Sequence, residues 1–214
     1  MADQDIVIIG AGTYGVVIAD LAFRCGYNVI GFLDDDEKKW GSDIDGILTS
    51  GPIAISLPLL PQEIAVAVAI GDNEERARLL EVARENDYST PTLISPLAMV
   101  SRSAKIGSAV YLHDASHVWV KSEIGDGTIL SPFASVAHHT ILEKGCFVST
   151  KASIGASIYV EQGAFFGIGS IVSTGVHRVG RDTIVGAGCV VIHDTESKGV
   201  YVGSPARLLR YRDL

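Results

Sequence analysis

An aliphatic or phenylalanine side chain recurs at every sixth position through the middle of the chain. The series runs through Val100, Ile106, Leu112, Val118, Ile124, Leu130, Val136, Leu142, Val148, Ile154, Val160, Phe166 and Val172, and after a one-residue slip it resumes at Val179, Val185 and Val191. Two positions before each stands a mostly small residue, with Val110, Ile158 and His177 as exceptions. This period is typical of hexapeptide solenoids. We predict about five coils of three short strands each, about eighteen residues per coil, with the aliphatic side chains inside.

The N-terminal segment alternates between apolar runs and glycine or acidic turns. Residues 5–9 form an apolar run, followed by Gly10-Ala11-Gly12-Thr13-Tyr14-Gly15 and a helical apolar pattern at 16–23. A second run at 27–33 ends on Asp34, Asp35 and Asp36. A glycine turn between strand and helix lets the backbone approach a pyrophosphate, and the following acids can accept hydrogen bonds from a ribose or base. We predict a nucleotide site here; the alternative is that the glycines serve only the turn.

The remainder of this α/β segment is short. A third strand at 64–70 and a helix at 73–86 complete half of a dinucleotide fold, with room for one mononucleotide diphosphate. Gly71 and Asn73 follow the third strand, where open α/β sheets bind ligands, although Asn73 would serve equally well as the helix cap. We interpret Arg76 and Arg78 as solvated charges on that helix.

These patterns predict a mixed fold class with three parts. A small α/β half-Rossmann domain occupies 1–92, a parallel β-helix of hexapeptide repeats occupies 95–198, and a cap at 199–214 covers the open end of the last coil. We interpret Arg207, Arg210 and Arg212 in the cap as a solvated basic tail, with a coenzyme phosphate as the alternative partner.

Composition narrows the classes of function. A net charge of −8 and a pI near 5.2 argue against a nucleic-acid partner, because phosphate neutralisation requires a basic face. No apolar run approaches the roughly 20 residues of a membrane span, and the N-terminus lacks a basic region and a cleavage site. We therefore expect no membrane partner and a cytoplasmic location. Cys146 and Cys189 fall in small-residue positions of the coil, which predicts reduced packing residues.

The chemistry-bearing residues are few. None of the six histidines lies at metal-ligand spacing with cysteines or carboxylates, so we predict no metal site. His138 and His139 form the one adjacent histidine pair, at a corner of the predicted coil. Corner residues project outward, where a histidine partly covered by a second chain can act as a general base. An ordinary interface histidine is the alternative.

Taken together, these residues indicate a family. Over nearly its whole length the chain resembles the bacterial sugar acyltransferases related to sialic acid O-acetyltransferase, and especially the N-acetyltransferases that modify nucleotide-linked 4-amino sugars of the bacillosamine and perosamine type. The matching stretches are Ile6–Gly15, Gly31–Asp36, Ile70–Asn73, the coil itself, Ile184–Gly188 and Gly203–Ala206. Their order and spacing are specific in combination.

The resemblance implies a homotrimer of left-handed β-helices with an active site between subunits. The nucleotide-linked amino sugar would be held at Gly10, Gly12 and the acids at 34–36, and acetyl-CoA would lie along the coil. His138 falls at the catalytic position, and Ala156 stands where a backbone N–H meets the thioester carbonyl. Ile168 and Gly186 stand where backbone groups meet the pantetheine arm.

The chain departs from the family at three positions. His139 stands where the family usually has an acid after the catalytic histidine, and Phe147 stands where the family has a histidine that contacts the coenzyme. Thr13-Tyr14 replaces the usual glycine–histidine of the turn, and the tyrosine could stack on the substrate. We expect an acetyl-CoA-dependent N-acetyltransferase with His138 as general base. The alternatives are an O-acetyltransferase acting on a sialic acid or related sugar, a non-catalytic nucleotide-sugar-binding solenoid and, more distantly, a nicotinamide enzyme.

Overall fold

The structure, a computed structural model, describes residues 4–212 and divides into two compact units, 1–93 and 94–214. The first three residues of the predicted α/β domain and the last two of the predicted cap lie outside the described residues. The first unit contains, in chain order, β1 (Asp5–Ile9), α1 (Thr13–Arg24), β2 (Asn28–Leu33), a 3₁₀ turn (Glu37–Lys39), β3 (Asp43–Ile44), β4 (Ile47–Ser50), α2 (Ile53–Ser56), a 3₁₀ turn (Leu57–Leu59), β5 (Ala65–Val68) and α3 (Asn73–Glu85).

The first unit is built on a five-stranded sheet in the order β3-β4-β2-β1-β5, in which all neighbours are parallel except the β3–β4 pair. β5 is buried along its full length and β1 from Ile6 onward, which explains why both appear as unbroken apolar runs. The β3–β4 hairpin and α2 were not predicted. Their strands are too short to show an alternating pattern, and Asp45 adopts a left-handed turn (φ 52°) between them.

The second unit is a parallel β-helix with three faces. The first sheet contains β7 (Met99–Val100), β10 (His117–Val118), β13 (Ser135–Val136), β16 (Ser153–Ile154), β19 (Ile171–Val172) and β22 (Val190–Val191). The second contains β8 (Lys105–Ile106), β11 (Glu123–Ile124), β14 (Ile141–Leu142), β17 (Tyr159–Val160) and β20 (Arg178–Val179). The third contains β6 (Leu93–Ile94), β9 (Tyr111–Leu112), β12 (Ile129–Leu130), β15 (Phe147–Val148), β18 (Phe165–Phe166), β21 (Ile184–Val185), β23 (Gly199–Val202) and β24 (Arg207–Tyr211).

The predicted repeat is confirmed in detail. Strands in adjacent coils pair residues eighteen positions apart, as between Ile129 and Phe147, and the sixth-position side chains from Val118 to Val191 are all buried. The small residues two positions earlier are buried as well, because they fill the space that the larger inward side chain leaves.

The one-residue slip in the repeat changes which residue is buried before Val179. His177, two positions before Val179, is exposed, and Val176, with 1% exposure, is buried in the place of the small residue. The extra residue is absorbed in a tight turn in which the Val176 N–H donates to the Ser173 carbonyl. Strand pairing resumes with a nineteen-residue offset between Tyr159 and Arg178.

Candidate active site

The carboxyl ends of β1, β2 and β5 meet at one edge of the first sheet. The Gly10 N–H donates to the Leu33 carbonyl at 2.7 Å, and the Ala69 N–H donates to the Ile9 carbonyl at 2.7 Å. The fold thus brings the glycine turn, the acids after β2 and the turn after β5 to the same edge. This is where open α/β sheets bind ligands.

The glycines of the turn have different roles. A Cβ on Gly15 would lie 2.1 Å from the Gly10 carbonyl oxygen, and Gly10 itself has a φ of 106° with its missing Cβ 2.8 Å from the Ala69 carbonyl. Gly15 is required by the close approach of α1 to the glycine turn, and Gly10 by the close approach of that turn to the chain after β5. Gly12 has open space where its Cβ would be, so it is the glycine of the turn that leaves room for a ligand.

Helix α1 begins without a cap or a countercharge. Its N-cap residue, Gly12, offers no side-chain hydrogen bond, and its first turn, which includes Thr13 and Tyr14, contains no acid. The N-terminal N–H groups of a helix carry partial positive charge, so an uncapped start at this edge suits a phosphate.

The three acids after β2 are each engaged in local structure. Asp34 accepts the Ala11 N–H and the Lys39 ammonium at 2.8 Å through Oδ2, and the Asp36 N–H through Oδ1. Burial alone would raise the pKa of Asp34, but these hydrogen bonds outweigh it and hold that pKa below its usual range. Asp35 accepts the Ile53 N–H, and Asp36 accepts the Lys38 N–H. Asp34 therefore ties β2 to the glycine turn, and Asp35 and Asp36 keep more free lone pairs for a ligand.

The turn after β5 differs from the prediction in two ways. Asp72 caps α3 by accepting the Glu75 N–H, and Asn73 is the first helical residue, so the interpretation of Asn73 as the cap was wrong. Arg76 is buried with 1% exposure, so it is not a solvated charge. Its guanidinium donates to the Asn73 Oδ1 at 2.8 Å and to the Ile70 carbonyl at 3.1 Å.

Arg76 therefore fixes the shape of the turn from the inside, and the open position at Gly71 stays accessible. Its neighbour Arg78 is exposed and paired with Glu75, as its interpretation as a surface charge implies. The signal that could have revealed Arg76 is its position three residues after Asn73, on the same helix face.

In the second unit, His138 and His139 occupy the corner between β13 and β14. The His139 N–H donates to the Val120 carbonyl of the preceding coil, and the His138 carbonyl accepts the Ser157 N–H of the next coil. His139 has a φ of 60°, in the left-handed region that several corner residues adopt. Both side chains are exposed, and their rings meet edge to face with centroids 5.2 Å apart.

The Nδ1 atoms of the two rings lie 3.0 Å apart, which makes a hydrogen bond in which one ring donates and the other accepts. If His138 donates from Nδ1, its Nε2 carries the free lone pair and points away from the pair. In that arrangement His139 is the acceptor, and the neutral His138 imidazole is a base at Nε2.

Ala156 lies one coil beyond His138 at the same corner. Its N–H donates to the Thr174 Oγ1 at 3.4 Å, a long and weak hydrogen bond that a stronger acceptor can displace. Thr174 was not predicted as a site residue. It lies beside the one-residue slip between Val172 and Val179, and this irregularity in the repeat is the sequence signal that could have drawn attention to Thr174.

The other three proposed coenzyme residues lie elsewhere on the coil. Phe147 is on the outer face of β15, half-buried and in contact with Phe165 at a centroid distance of 5.4 Å. Ile168, 62% exposed, and Gly186 follow β18 and β21, at the corner between the third and first sheets. The His138 corner joins the first and second sheets, so one chain does not bring the two groups together.

Within residues 4–212, no group of three or more histidine, cysteine or acidic side chains is arranged to hold a metal ion. Over that same range, no helix is long and apolar enough to cross a membrane.

Comparison with known proteins identifies the family. Residues 5–83 match the PglD N-terminal domain. PerB from Caulobacter crescentus, solved with CoA and GDP-perosamine, is 32% identical, with 97% of this chain and 98% of that chain covered and a TM-score of 0.88. A histidine-to-alanine variant of GDP-perosamine N-acetyltransferase from the same organism, with the same ligands, is 31% identical, with 97% of each chain covered and a TM-score of 0.88. The acetyltransferase domain of PglB from Neisseria gonorrhoeae is 28% identical, with 97% and 100% covered and a TM-score of 0.89.

The expected family and fold class are thereby confirmed. The chain belongs to the left-handed β-helix N-acetyltransferases of the bacillosamine and perosamine type, and it is an acetyltransferase that uses acetyl-CoA.

Proposed function

We propose that this protein transfers the acetyl group of acetyl-CoA to the amino group of a nucleotide-linked 4-amino sugar, with His138 as general base. The observation that carries the proposal is the similarity to GDP-perosamine N-acetyltransferase over 97% of both chains, which spans the glycine turn and the histidine corner. The uncapped start of α1 and the open position at Gly12 support a diphosphate ligand at the first unit.

The reaction is a direct acyl transfer. The sugar nitrogen attacks the thioester carbonyl carbon, a C–N bond forms, the C–S bond breaks, and sulfur leaves as the thiolate of CoA. Nε2 of His138 accepts the proton that the amine loses once attack has made it acidic, and the Ala156 N–H exchanges its weak bond to Thr174 for the oxyanion. Cys146 and Cys189 are buried in the core, so neither thiol is placed to form an acyl-enzyme.

His139 favours an amine over a hydroxyl acceptor. It stands where the family has an acid, and as the acceptor of the hydrogen bond between the two Nδ1 atoms it would hold the His138 proton on Nδ1 without adding a negative charge. An amine is nucleophilic before it loses a proton, whereas a hydroxyl needs a stronger base at the moment of attack.

The proposal includes a homotrimer with the active site between subunits. The histidine corner and the coenzyme corner are separated within one chain, so a neighbouring subunit is needed to complete the site. Apolar side chains on the outside of the coil support such contacts, because Trp119, Phe133 and Ile168 are 41%, 59% and 62% exposed.

The test measures thiol release from acetyl-CoA with UDP-, GDP- and dTDP-linked 4-amino sugars. One sugar should give rapid release and an acetyl product that survives mild base, since amides resist it and esters do not. His138→Ala should lower kcat by about a hundredfold or more, with the trimer intact, whereas the exposed His193→Ala is the matched control. Wild-type turnover in His138→Ala, or a base-labile product, would overturn the assignment.

A further inference from the structure

The one-residue slip in the repeat changes the hydrogen bonds at the histidine corner. In the two preceding coils, a corner N–H donates to a carbonyl nineteen positions earlier, as the Ser157 N–H donates to the His138 carbonyl. The next bond in this series would join the Gly175 N–H to the Ala156 carbonyl. Within residues 4–212 that bond does not form, and the chain instead turns back on itself with Gly175 at a φ of 103°. The slip therefore interrupts the regular backbone ladder at this corner.

A threonine hydroxyl takes up the contact at this point. Three residues stand at the corner in successive coils, each two positions after an inward residue of the first sheet: His138, Ala156 and Thr174. Gly155 lets Thr174 approach, because a Cβ on Gly155 would lie 2.6 Å from the Thr174 nitrogen. The Thr174 Oγ1 then accepts the Ala156 N–H at 3.4 Å. The slip thus places a hydroxyl beside the N–H group that the proposed mechanism assigns to the oxyanion.

This hydroxyl keeps its own hydrogen available. The hydrogen bonds of Thr174 to residues 4–212 are both ones in which it accepts, through Oγ1 from Ala156 and through its carbonyl from the Ser173 hydroxyl. Its side chain is exposed, and a hydroxyl can rotate to donate as well as accept. Thr174 can therefore change from acceptor to donor when a negatively charged oxygen arrives at the corner.

The spacing of the two groups suits a shared oxygen. The Ala156 nitrogen and the Thr174 Oγ1 are 3.4 Å apart, so one oxygen atom can lie about 2.9 Å from both of them. Ala156 is one coil from His138, about 4.8 Å along the coil axis. A thioester carbonyl whose oxygen meets these two donors would have its carbon between them and the base. Donors that are already in place where charge develops are the basis of an oxyanion hole.

We propose that the Thr174 hydroxyl is a second donor to the oxyanion, beside the Ala156 N–H. The inference rests on the proposed function, in which an amine attacks the thioester of acetyl-CoA. As the C–N bond forms, the carbonyl oxygen takes up the negative charge and accepts both hydrogen bonds. The hydroxyl hydrogen stays on Thr174, and the amine proton goes to His138. When the C–S bond breaks, the carbonyl re-forms and both hydrogen bonds weaken.

The first test needs no amino sugar. Infrared difference spectra of the full chain with acetyl-CoA, labelled with ¹³C at the thioester carbonyl, report the stretching frequency of that bond, which falls as donors polarise it. Thr174→Val removes the hydroxyl at nearly constant shape, so its carbonyl band should lie at higher frequency than in the wild type. Thr174→Ser keeps the hydroxyl and should keep the band. Ser173→Ala removes a neighbouring hydroxyl of the same turn and is the matched control.

The second test is turnover with the amino-sugar substrate. Removal of one oxyanion donor commonly lowers kcat by about 10²–10³-fold, and a rotatable hydroxyl beside a backbone N–H should contribute less, about ten- to a hundredfold. Thr174→Val should therefore lose about that much in kcat, with an unchanged calorimetric affinity for CoA. Thr174→Ser and Ser173→Ala should stay within about twofold of the wild type.

The carbonyl band decides between the outcomes. A band that is the same in Thr174→Val and the wild type would refute the inference, and rapid acetylation by such a protein would leave the proposed reaction standing. Equal changes in Thr174→Val and Thr174→Ser, or a loss of CoA affinity in step with kcat, would contradict the inference by showing a damaged turn. A band that depends on the hydroxyl, in a protein that acetylates no amino sugar, would refute the proposed reaction and support the role of Thr174.

Discussion

The hydrogen bond between His138 and His139 makes a prediction that a small set of variants can test. In the tautomer that the proposed mechanism requires, His139 contributes an acceptor lone pair 3.0 Å from Nδ1 of His138. When His138 takes the proton from the amine, that hydrogen bond changes from neutral to charge-assisted. A neutral hydrogen bond contributes about 0.5–1.5 kcal/mol and a charged one about 1.5–3 kcal/mol, so the transition state gains about 1–1.5 kcal/mol over the ground state.

Loss of the acceptor should therefore lower kcat by about five- to tenfold. Water can partly replace the acceptor because both rings are exposed in the single chain, so we expect the lower end of this range. His139→Phe and His139→Lys remove the acceptor, whereas His139→Asn and His139→Asp supply an oxygen in its place. The aspartate variant should match or exceed the wild-type kcat.

The corner itself provides the controls for this series. Phe133 and Lys151 adopt left-handed conformations at other corners, with φ values of 63° and 60°, so phenylalanine and lysine fit this backbone. Asparagine and aspartate tolerate the left-handed region best among non-glycine residues.

The assay compares kcat and KM for acetyl-CoA at saturating amine, together with ¹⁵N spectra that report the tautomer of the His138 ring. Equal kcat values for His139→Phe and His139→Asn, or a proton on Nε2 of His138 in the wild type, would refute the reasoning. A change confined to the KM for acetyl-CoA would indicate a structural effect instead.

Three further predictions concern the first unit. Arg76→Leu should lower the free energy of unfolding in urea by about 1–3 kcal/mol, because two part-buried acceptors lose their donor. Arg78→Leu should stay within about 0.5 kcal/mol, and similar values for both variants would contradict the burial argument. Gly15→Ala should unfold or strongly destabilise the protein, since the added Cβ meets backbone at 2.1 Å, whereas Gly12→Ala should fold normally and bind the nucleotide diphosphate more weakly by calorimetry. The pKa of Asp34 in the folded protein is below its ordinary value of 3.8, so its contribution to stability is complete above that pH and is lost as the pH falls through the lowered pKa. Acid unfolding followed by circular dichroism should therefore be less steep in Asp34→Asn. An unchanged unfolding curve would show that Asp34 does not contribute to acid sensitivity.

The coil could be predicted from sequence because every coil places residues of the same kind at the same buried positions. An inward aliphatic side chain every sixth residue is a local signal, repeated often enough to define the register from Val118 to Val172. The slip broke that regularity, and spacing alone could not decide whether Val176 or His177 would turn inward. Packing decided it, because valine fills an apolar gap without an unsatisfied polar atom.

The first unit was less predictable because its important contacts depend on tertiary structure. Arg76 has the sequence surroundings of any surface helix charge, with acids before it and another arginine after it. Its spacing from Asn73 is a local signal, but only the fold buries the guanidinium and brings the Ile70 carbonyl to it. The acids after β2 were correctly placed at the sheet edge, but sequence gave no indication that Asp34 would be bound by Ala11 and Lys39.

The stacking of identical coils also constrains how such a protein can change in length. Each added or deleted coil moves everything beyond it by one strand spacing, about 4.8 Å. A whole coil added before the histidine corner, between Val100 and Val136, would lengthen the stretch of chain between the first unit and His138 and leave the number of coils after His138 unchanged. A whole coil added after that corner would instead move the terminal hairpin away from His138 by one strand spacing and leave the histidine corner intact.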